Sequence, residues 1–594
     1  MSIKSKNKDV SAVKYGGKDI AQVYKGEKLV FTSSLPAFEV TTVATTERAP
    51  FAACYTKDKP DGFLLYTSGA VAKDAKTRVT GKKLDGVTNI RFGYWGRDAS
   101  HIATNIRRAK TFKALASDDS PVLTSLNYMF QGSAVTSIDF SEWDLSNISS
   151  VQNIFYGEYS GKNIVQEIKF GPSATFEKVT DAYQMFYNCS SLTSLDLSSA
   201  TFAAVTDVGS MFRGCSGLTS LDLSNKTFAA VTNTSCMFYN CSGLTSLGLP
   251  STTFDKVTNA DYMFKGCSKL TSLDLSNKTF AAVTNTSYMF SGCSGLTSLD
   301  LSSATFAAAT NASYMFRGCS GLTSLGLPST TFDKVTNAGY MFSGCSGLTS
   351  LDLSNKTFAA VTNTSCMFSG CSGLTSLGLP STTFDKVTDA DYMFYNCSGL
   401  TSLDLSNKTF AAVTNTSYMF SGCSGLTSLG LPSTTFDKVT NAGYMFSGCS
   451  SLTSLDLSSA TFAKVTDVSY MFSGRSSLTS LDLSSATFAA ATYTQSTFAG
   501  CSSLTTLDLS SATFGKVDST NAMFKGCSKL ATLDLSSATF AKVTNAGSMF
   551  SGCSSLTTVK VTNCSETTQN KILGWLKNTA GGTWTLADGV ITRS

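Results

Sequence analysis

From residue 341 the chain reads Met-Phe-x-x-Cys-x-x-Leu-x-x-Leu-x-Leu, then four polar residues, then Phe358 and Val361, and at 367 Met-Phe returns. Leu351 and Leu353 are two apart, so they share one face of a short strand and leave Asp352 and Ser354 pointing outward. Ser354, Asn355, Lys356 and Thr357 have turn chemistry. Met341, Phe342 and Cys345 make a single helical or turn-like apolar cluster ahead of the strand. Eight positions per coil therefore point inward: Met, Phe, Cys, three Leu, Phe and Val. Burying eight such side chains does not offset the entropy of ordering a 26-residue coil. One coil needs a neighbour on each side to complete its burial and its strand pairing.

The spacing supplies those neighbours. Met-Phe recurs every 26 residues, without insertion, from Met185-Phe186 to Met549-Phe550, and is degraded once, to Thr497-Phe498. Two looser copies, Met129-Phe130 and Ile154-Phe155, precede the fifteen regular ones. About seventeen coils are expected between roughly 120 and 560, and an uninterrupted step is what a stacked solenoid demands. The organisation expected is a small β attachment module (1–33), a β-rich connecting and N-capping region (34–117), the solenoid (118–560) and a C-terminal cap of helix plus hairpin (561–594).

The ends lack the repeat. Residues 12–31, "AVKYGGKDIAQVYKGEKLVF", read as short strands joined by Gly16-Gly17 and Lys25-Gly26-Glu27 turns. Their apolar positions, Tyr15, Ile20, Val23, Tyr24, Leu29 and Phe31, are the candidate attachment surface. "FEVTTVATT", "FLLYTSGAV" and "VTNIRFGYWG" are strand-like, while "SHIATNIRRAKTFKAL" has helical spacing in part. Tyr94 and Trp95 read either as a ligand platform or as core packing. "NKILGWLKNTAGGTWTLADGVITRS" reads as a helix ending near Asn578 and then a hairpin. Trp575 and Trp584 are placed to cover the last coil, whose exposed sheet edge would otherwise invite aggregation.

Composition changes the picture in one respect. Of 594 residues, 42% are hydrophobic and only 15% charged, which fits a folded chain whose surface is made of hydroxyls and amides. The net charge of +5 is mostly local. Residues 1–33 hold seven Lys against Asp9, Asp19 and Glu27, a balance of +4. No basic groove for nucleic acid is expected. The start lacks the apolar run of about 7–15 residues of a secretory signal, and no membrane-spanning stretch is expected.

Two rows carry candidate chemistry. Position twelve of the repeat is Asp196, Asp222, Asp274, Asp300, Asp352, Asp404, Asp456, Asp482, Asp508 and Asp534, and Gly at 248, 326, 378 and 430. Adjacent carboxylates in a parallel stack repel. The row reads as a ligand-facing stripe for a cation or polyol, or as a solvated face relieved by nearby Lys and Ser.

Position five is Cys189, Cys215, Cys241, Cys267, Cys293, Cys319, Cys345, Cys371, Cys397, Cys423, Cys449, Cys501, Cys527 and Cys553, broken by Arg475. No CxxC or Cys/His cluster is present, so neither a metal site nor any other cofactor is expected. Equivalent side chains in a row have no unambiguous disulfide partner. The row reads as a structural one of small buried residues. Cys236 and Cys366 replace the Tyr or Ser that precedes Met in other coils, as block duplication would leave them. With His101 the sole histidine and no phosphate loop, no catalytic residue is proposed.

"MFxGCSxLTSLDLSxxTFxxVTNxxYMF" resembles the BspA-like leucine-rich repeat of bacterial surface proteins, over residues of about 120–560. The resemblance implies a right-handed solenoid with a parallel β-sheet on one face, and roles in adhesion or binding without catalytic residues. "VYKGEKLVF" is similar to short N-terminal β modules of phage tail and other virion proteins, especially those of gut Bacteroidales. Together the two resemblances imply a virion structural and adhesion protein, a tail or head fibre or decoration protein, assembled in the host cytoplasm. Its N-terminus would dock on other virion proteins and its solenoid would bind a host cell-surface glycan or protein. Self-association into a homo-oligomer is left open. The alternatives are a BspA-like adhesin on a bacterial surface and an intracellular protein-binding scaffold.

Overall fold

The computed structural model describes residues 125–594, apart from 131–134, 142, 157–163, 251–253, 277, 329–331, 381–383 and 432–435. Before residue 125 it describes the backbone of eight strands. The chain is a parallel β-solenoid divided into two compact units. One is Met1–Val283 with Gly292–Thr305, and the other is Thr284–Ser291 with Phe306–Ser594.

The coil at 341–366 shows why the pattern folds. Met341, Phe342, Cys345, Leu348, Leu351, Leu353, Phe358 and Val361, the eight inward positions, are all buried. The strand is short, Ser350–Asp352, with Leu351 inward between two exposed residues. It pairs in parallel with Ser376–Gly378, Leu351 opposite Leu377. Identical side chains therefore stack on one another. Phe316, Phe342 and Phe368 lie at 5.5 and 5.7 Å with planes within 7°, an offset-stacked geometry that adds to their burial.

A second set of inter-coil bonds runs along the segment around Met-Phe. Ala338, Tyr340, Phe342 and Gly344 donate their backbone N–H groups to the carbonyls of Asn363, Ser365, Met367 and Ser369 at 2.7–3.0 Å. The residue before each Met holds a left-handed backbone, with φ between 52° and 60° from Tyr262 to Tyr470. Such a conformation is costly for tyrosine, and from Tyr288 to Tyr470 each copy is held by the inter-coil bond its own N–H makes.

In the first unit, the sheet that opens the solenoid has seven strands. Phe38–Thr42, Phe51–Thr56 and Gly62–Thr67 pair antiparallel. From Gly62–Thr67 the pairing turns parallel through Asn89–Gly93, Thr111–Leu115 and Ser137–Phe140 to Glu167–Phe170. Strand stacking is thus in place upstream of the repeating phrase. The helical spacing expected in part across 100–115 does not hold at Thr111–Leu115, which is a strand. Its parallel neighbours on both sides supply a ladder that overrides the local periodicity.

The second unit ends in a helix, Glu566–Thr579, capped by the Ser565 hydroxyl accepting from the Thr568 N–H. A hairpin follows, Trp584–Ala587 with Val590–Arg593. Val590–Arg593 pairs antiparallel with Thr558–Lys560, which covers the last parallel strand. Trp584 is buried, and Trp575 meets Phe540 edge-on at 5.9 Å. Among the described residues no helix is long and apolar enough to cross a membrane.

Candidate binding faces of the coil

Each carboxylate of the position-twelve row is engaged in its own turn. Asp352 Oδ1 accepts the Ser354 N–H at 2.8 Å. The same bond recurs at 2.8–3.0 Å for Asp196, Asp222, Asp274, Asp300, Asp404, Asp456, Asp482, Asp508 and Asp534. An aspartate that caps the backbone two residues on closes the turn after the strand. The backbone N–H holds Asp196, Asp222, Asp274 and Asp300 below the ordinary carboxylate range. For Asp352, Asp404 and Asp456 the serine hydroxyl is the larger cause.

The glycine coils bring the preceding carboxylate close to the backbone. A Cβ at Gly378 would meet Asp352 Oδ1 at 2.4 Å, and the same holds for Gly430 against Asp404 at 2.5 Å. The carboxylate leans over the next coil there, whereas Asp222, Asp300, Asp482, Asp508 and Asp534 each follow an Asp and carry a Cβ at the same place. The lysine of the turn does something other than line the row. Lys356 is buried and its Nζ donates to the Pro328 carbonyl, while Lys226 Nζ reaches Ser198 O at 3.1 Å. These lysines tie one turn to the coil before it. Among the described residues no group of three His, Cys, Asp or Glu is placed to hold a metal.

The thiol row is buried, and every cysteine among the described residues is a free thiol. In each coil the Sγ donates to the carbonyl of the Phe at position two of the coil before. Cys345 reaches Phe316 O and Cys371 reaches Phe342 O, both at 3.1 Å. In the first unit Cys215 and Cys241 bond Phe186 O and Phe212 O at 3.0 and 2.9 Å. The residue is small, buried and also a donor, which its apolar neighbours in sequence did not reveal. Burial pushes these thiols up, Cys371 to about 12, so they are poor nucleophiles at neutral pH.

Arg475 occupies the same place between Cys449 and Cys501. It is fully buried, and its Nε and both terminal nitrogens have no hydrogen-bond partner. Burial lowers its affinity for its proton. Its guanidinium lies 5.8 Å from the Phe446 ring centre.

Sequence reasoning missed the tyrosines before Met. Tyr288, Tyr314 and Tyr340 form a partly exposed stack with centroids 4.3 and 4.5 Å apart. Tyr392, Tyr418, Tyr444 and Tyr470 form another at 4.5, 4.4 and 4.5 Å. The signal was present, since Tyr recurs at position twenty-six at coil spacing. In the first unit Tyr187 and Tyr239 bracket the Arg213 guanidinium at 5.4 and 4.7 Å.

Of the expected attachment residues, Tyr15 and Ile20 lie outside the described residues, as do Tyr94 and Trp95. Val23 and Tyr24 fall on the strand Gln22–Lys25, and Leu29 and Phe31 on Lys28–Thr32, which pair antiparallel.

Comparison with known proteins adds the following. Residues 125–259, 180–312, 211–340 and 257–390 match the profile of the BspA type leucine rich repeat region. Residues 336–456, 388–510 and 440–565 match a family described as Mycoplasma protein of unknown function, DUF285. No curated protein matches the chain. Among solved structures, a leucine-rich repeat protein from Eubacterium ventriosum is 15% identical over 57% of this chain and 95% of its own, with TM-score 0.25. A leucine rich cell surface protein from Faecalibacterium prausnitzii is 15% identical over 85% of this chain and 94% of its own, with TM-score 0.15. The functional domain of InlJ from Listeria monocytogenes, which includes a cysteine ladder, is 16% identical over 66% and 68%, with TM-score 0.15. The coils within residues 125–390 thus match BspA-type leucine-rich repeats, and the chain is built as a parallel β-solenoid.

Proposed function

We propose that the chain is a non-enzymatic adhesion protein that displays its solenoid at a surface and binds protein or glycan partners along it. The observation that supports this is the repetition of one outward pattern. Ser350, Asp352 and Ser354 are exposed, and Ser402, Asp404 and Ser406 repeat the arrangement two coils on. Many equivalent weak sites on one body convert low affinity into firm attachment. The aspartate row remains a candidate stripe for cations or polyols, with one carboxylate oxygen of each residue committed to its turn. The match to BspA-type repeats favours display on a bacterial surface.

A second reading, mounting on a phage particle, is supported by the likeness of "VYKGEKLVF" to virion β modules. In that reading residues 1–33 dock on other virion proteins. Antibody labelling of intact, phage-free cells and of purified virions distinguishes the two. Label on cells supports the adhesin, and label confined to virions supports the particle protein. A chain that labels neither, and is recovered with a stoichiometric cytosolic partner, overturns surface display and leaves the intracellular scaffold.

A further inference from the structure

The tyrosine ladder of the second unit has one missing rung. Tyr340 ends one stack and Tyr392 begins the next, and between them the same coil position is Cys366. Its backbone is unchanged, with φ of 54° against 58° for Tyr340 and 52° for Tyr392. The stacks step by about 4.5 Å, so the two terminal rings stand about 9 Å apart, room for one flat group making two ring contacts of roughly 3.5–4.5 Å.

The surroundings of the gap select its occupant. Cys366 is buried at this rung, its thiol within hydrogen-bonding reach of the Tyr340 hydroxyl. Beside it, the Ser365 hydroxyl donates to the Asp391 carboxylate, and the Asp391 N–H donates to Asp389 Oδ1 at 3.3 Å. Asp391 is half-buried, and no lysine or arginine among the described residues pairs with it. A carboxylate in that position is relieved by a cation. A guanidinium is the cation that is flat, stacks on aromatic faces and pairs with a carboxylate through a planar fork. The chain places guanidinium groups against tyrosine rings elsewhere, Arg317 lying 5.6 and 5.9 Å from the Tyr314 and Tyr340 ring centres. Arg213 sits between Tyr187 and Tyr239, rings two coils apart, as Tyr340 and Tyr392 are.

We propose that the gap at Cys366 is a recognition site for an arginine side chain of a partner protein, its guanidinium stacked between Tyr340 and Tyr392 and paired with Asp391. A lysine ammonium has the charge without the flat face, and a neutral aromatic ring leaves Asp391 unpaired. Cys236 provides an internal contrast. Its neighbours in the same position are Ser210 and Tyr262, so it offers one ring and no sandwich. The proposal deepens the protein-binding reading above by naming the group that is bound.

The test uses the purified full chain and three capped peptides, acetyl-Gly-Arg-Gly-amide and its Lys and Trp counterparts, read by saturation-transfer NMR and titration. The Arg peptide binds most tightly. Cys366→Tyr, which fills the rung with a residue the neighbouring coils already carry, weakens it by about tenfold or more. Cys236→Tyr leaves binding unchanged, and Asp391→Asn weakens the Arg peptide but not the Trp peptide. Thermal melting of Cys366→Tyr at or above the wild-type temperature shows that the fold is kept. Equal binding by Cys366→Tyr, or equal loss in Cys236→Tyr, overturns the site. Tighter binding of the Trp peptide overturns the guanidinium assignment, and equal binding of the Lys peptide does the same. Failure of surface display reads out separately. A chain that binds the Arg peptide but labels neither cells nor virions keeps this site and loses the display reading.

Discussion

The two sides of a coil are built by different means. On the strand side, Ser350–Asp352 contributes three residues to the ladder, and its exposed groups are closed in local turns. In the coil carrying Leu195 and Leu197 that segment is not a strand at all. Along the Met-Phe segment the inter-coil bonds persist there, with Phe186 N–H donating to Met211 O at 2.8 Å. The thiol bond and the stacked phenylalanines lie with them. The lesson is that the leucine strand, the feature that names the repeat, is the variable half. The Met-Phe-x-x-Cys half holds coil to coil.

The strongest way to break this comparison is to put both sides out of step. Deleting residues 341–366 removes one whole coil and brings Tyr340 into register with Tyr392. The chain is expected to fold with cooperative unfolding retained. Deleting 341–353 removes half a coil, sets strand against turn for every coil after it, and is expected to abolish cooperative melting by calorimetry. A half-coil deletion that melts like the wild type contradicts the stacked architecture.

The next largest effect falls on the thiol side alone. Arg475 buries a guanidinium with three unpartnered nitrogens where other coils place a donor of the right size. Restoring the row with Arg475→Cys is expected to stabilise the second unit by about 3 kcal/mol, since an unpaired buried charge costs several. A denaturant midpoint that falls would show that Arg475 is better accommodated than its orphaned nitrogens imply.

The extent to which this was legible in the sequence follows the same division. The 26-residue step, the pairing of Leu351 with its neighbours and the burial of all eight inward positions follow from periodicity alone. Three features did not. Tyr340 in a left-handed backbone runs against residue preference, and its own N–H is satisfied by a bond to the next coil. Lys356 reads as a solvated turn residue, yet its amine reaches a carbonyl 28 positions earlier in the chain. The S–H bond of Cys345 cannot be read from a row of small apolar-like residues, because its acceptor belongs to another coil. Each depends on what lies one step along the stack, which local sequence does not display.

A single rung of the thiol row separates packing from hydrogen bonding. Cys345→Ala removes both the sulfur's volume and the donor to Phe316 O, and is expected to cost about 1–2 kcal/mol in chemical denaturation. Cys345→Ser keeps a donor and is expected to cost less. Equal losses in the two variants would return the cysteine to the role of a space-filling residue.

The smallest effects sharpen the contrast, because they have opposite sign on the two sides. Asp352 has its carboxyl held below 3.8, first by the Ser354 hydroxyl and then by its N–H. Its contribution is fully present above the unfolded value and is lost as pH falls through the lower folded one. The group is largely exposed, so after solvent screening each such aspartate is worth a few tenths of a kcal/mol. Asp391, beside the tyrosine ladder, is pushed above 3.8 chiefly by burial, with Asp389 adding to the rise. Its folded state favours the proton, so it lends stability at low pH and loses it as pH rises from 3.8 through the folded value. Asp391→Asn is therefore expected to flatten the decline in stability on that rising side. Asp352→Asn, which keeps an acceptor for the turn, should instead trim the loss on the acid side. Denaturant titrations across pH 2–7 read both. If the two variants move the profile in the same direction, the two faces do not differ in the way their hydrogen bonds and burial require. A saturating arginine peptide gives the final discrimination, because a cation paired with Asp391 lowers its folded pKa and reverses the sign of its slope while leaving that of Asp352 untouched.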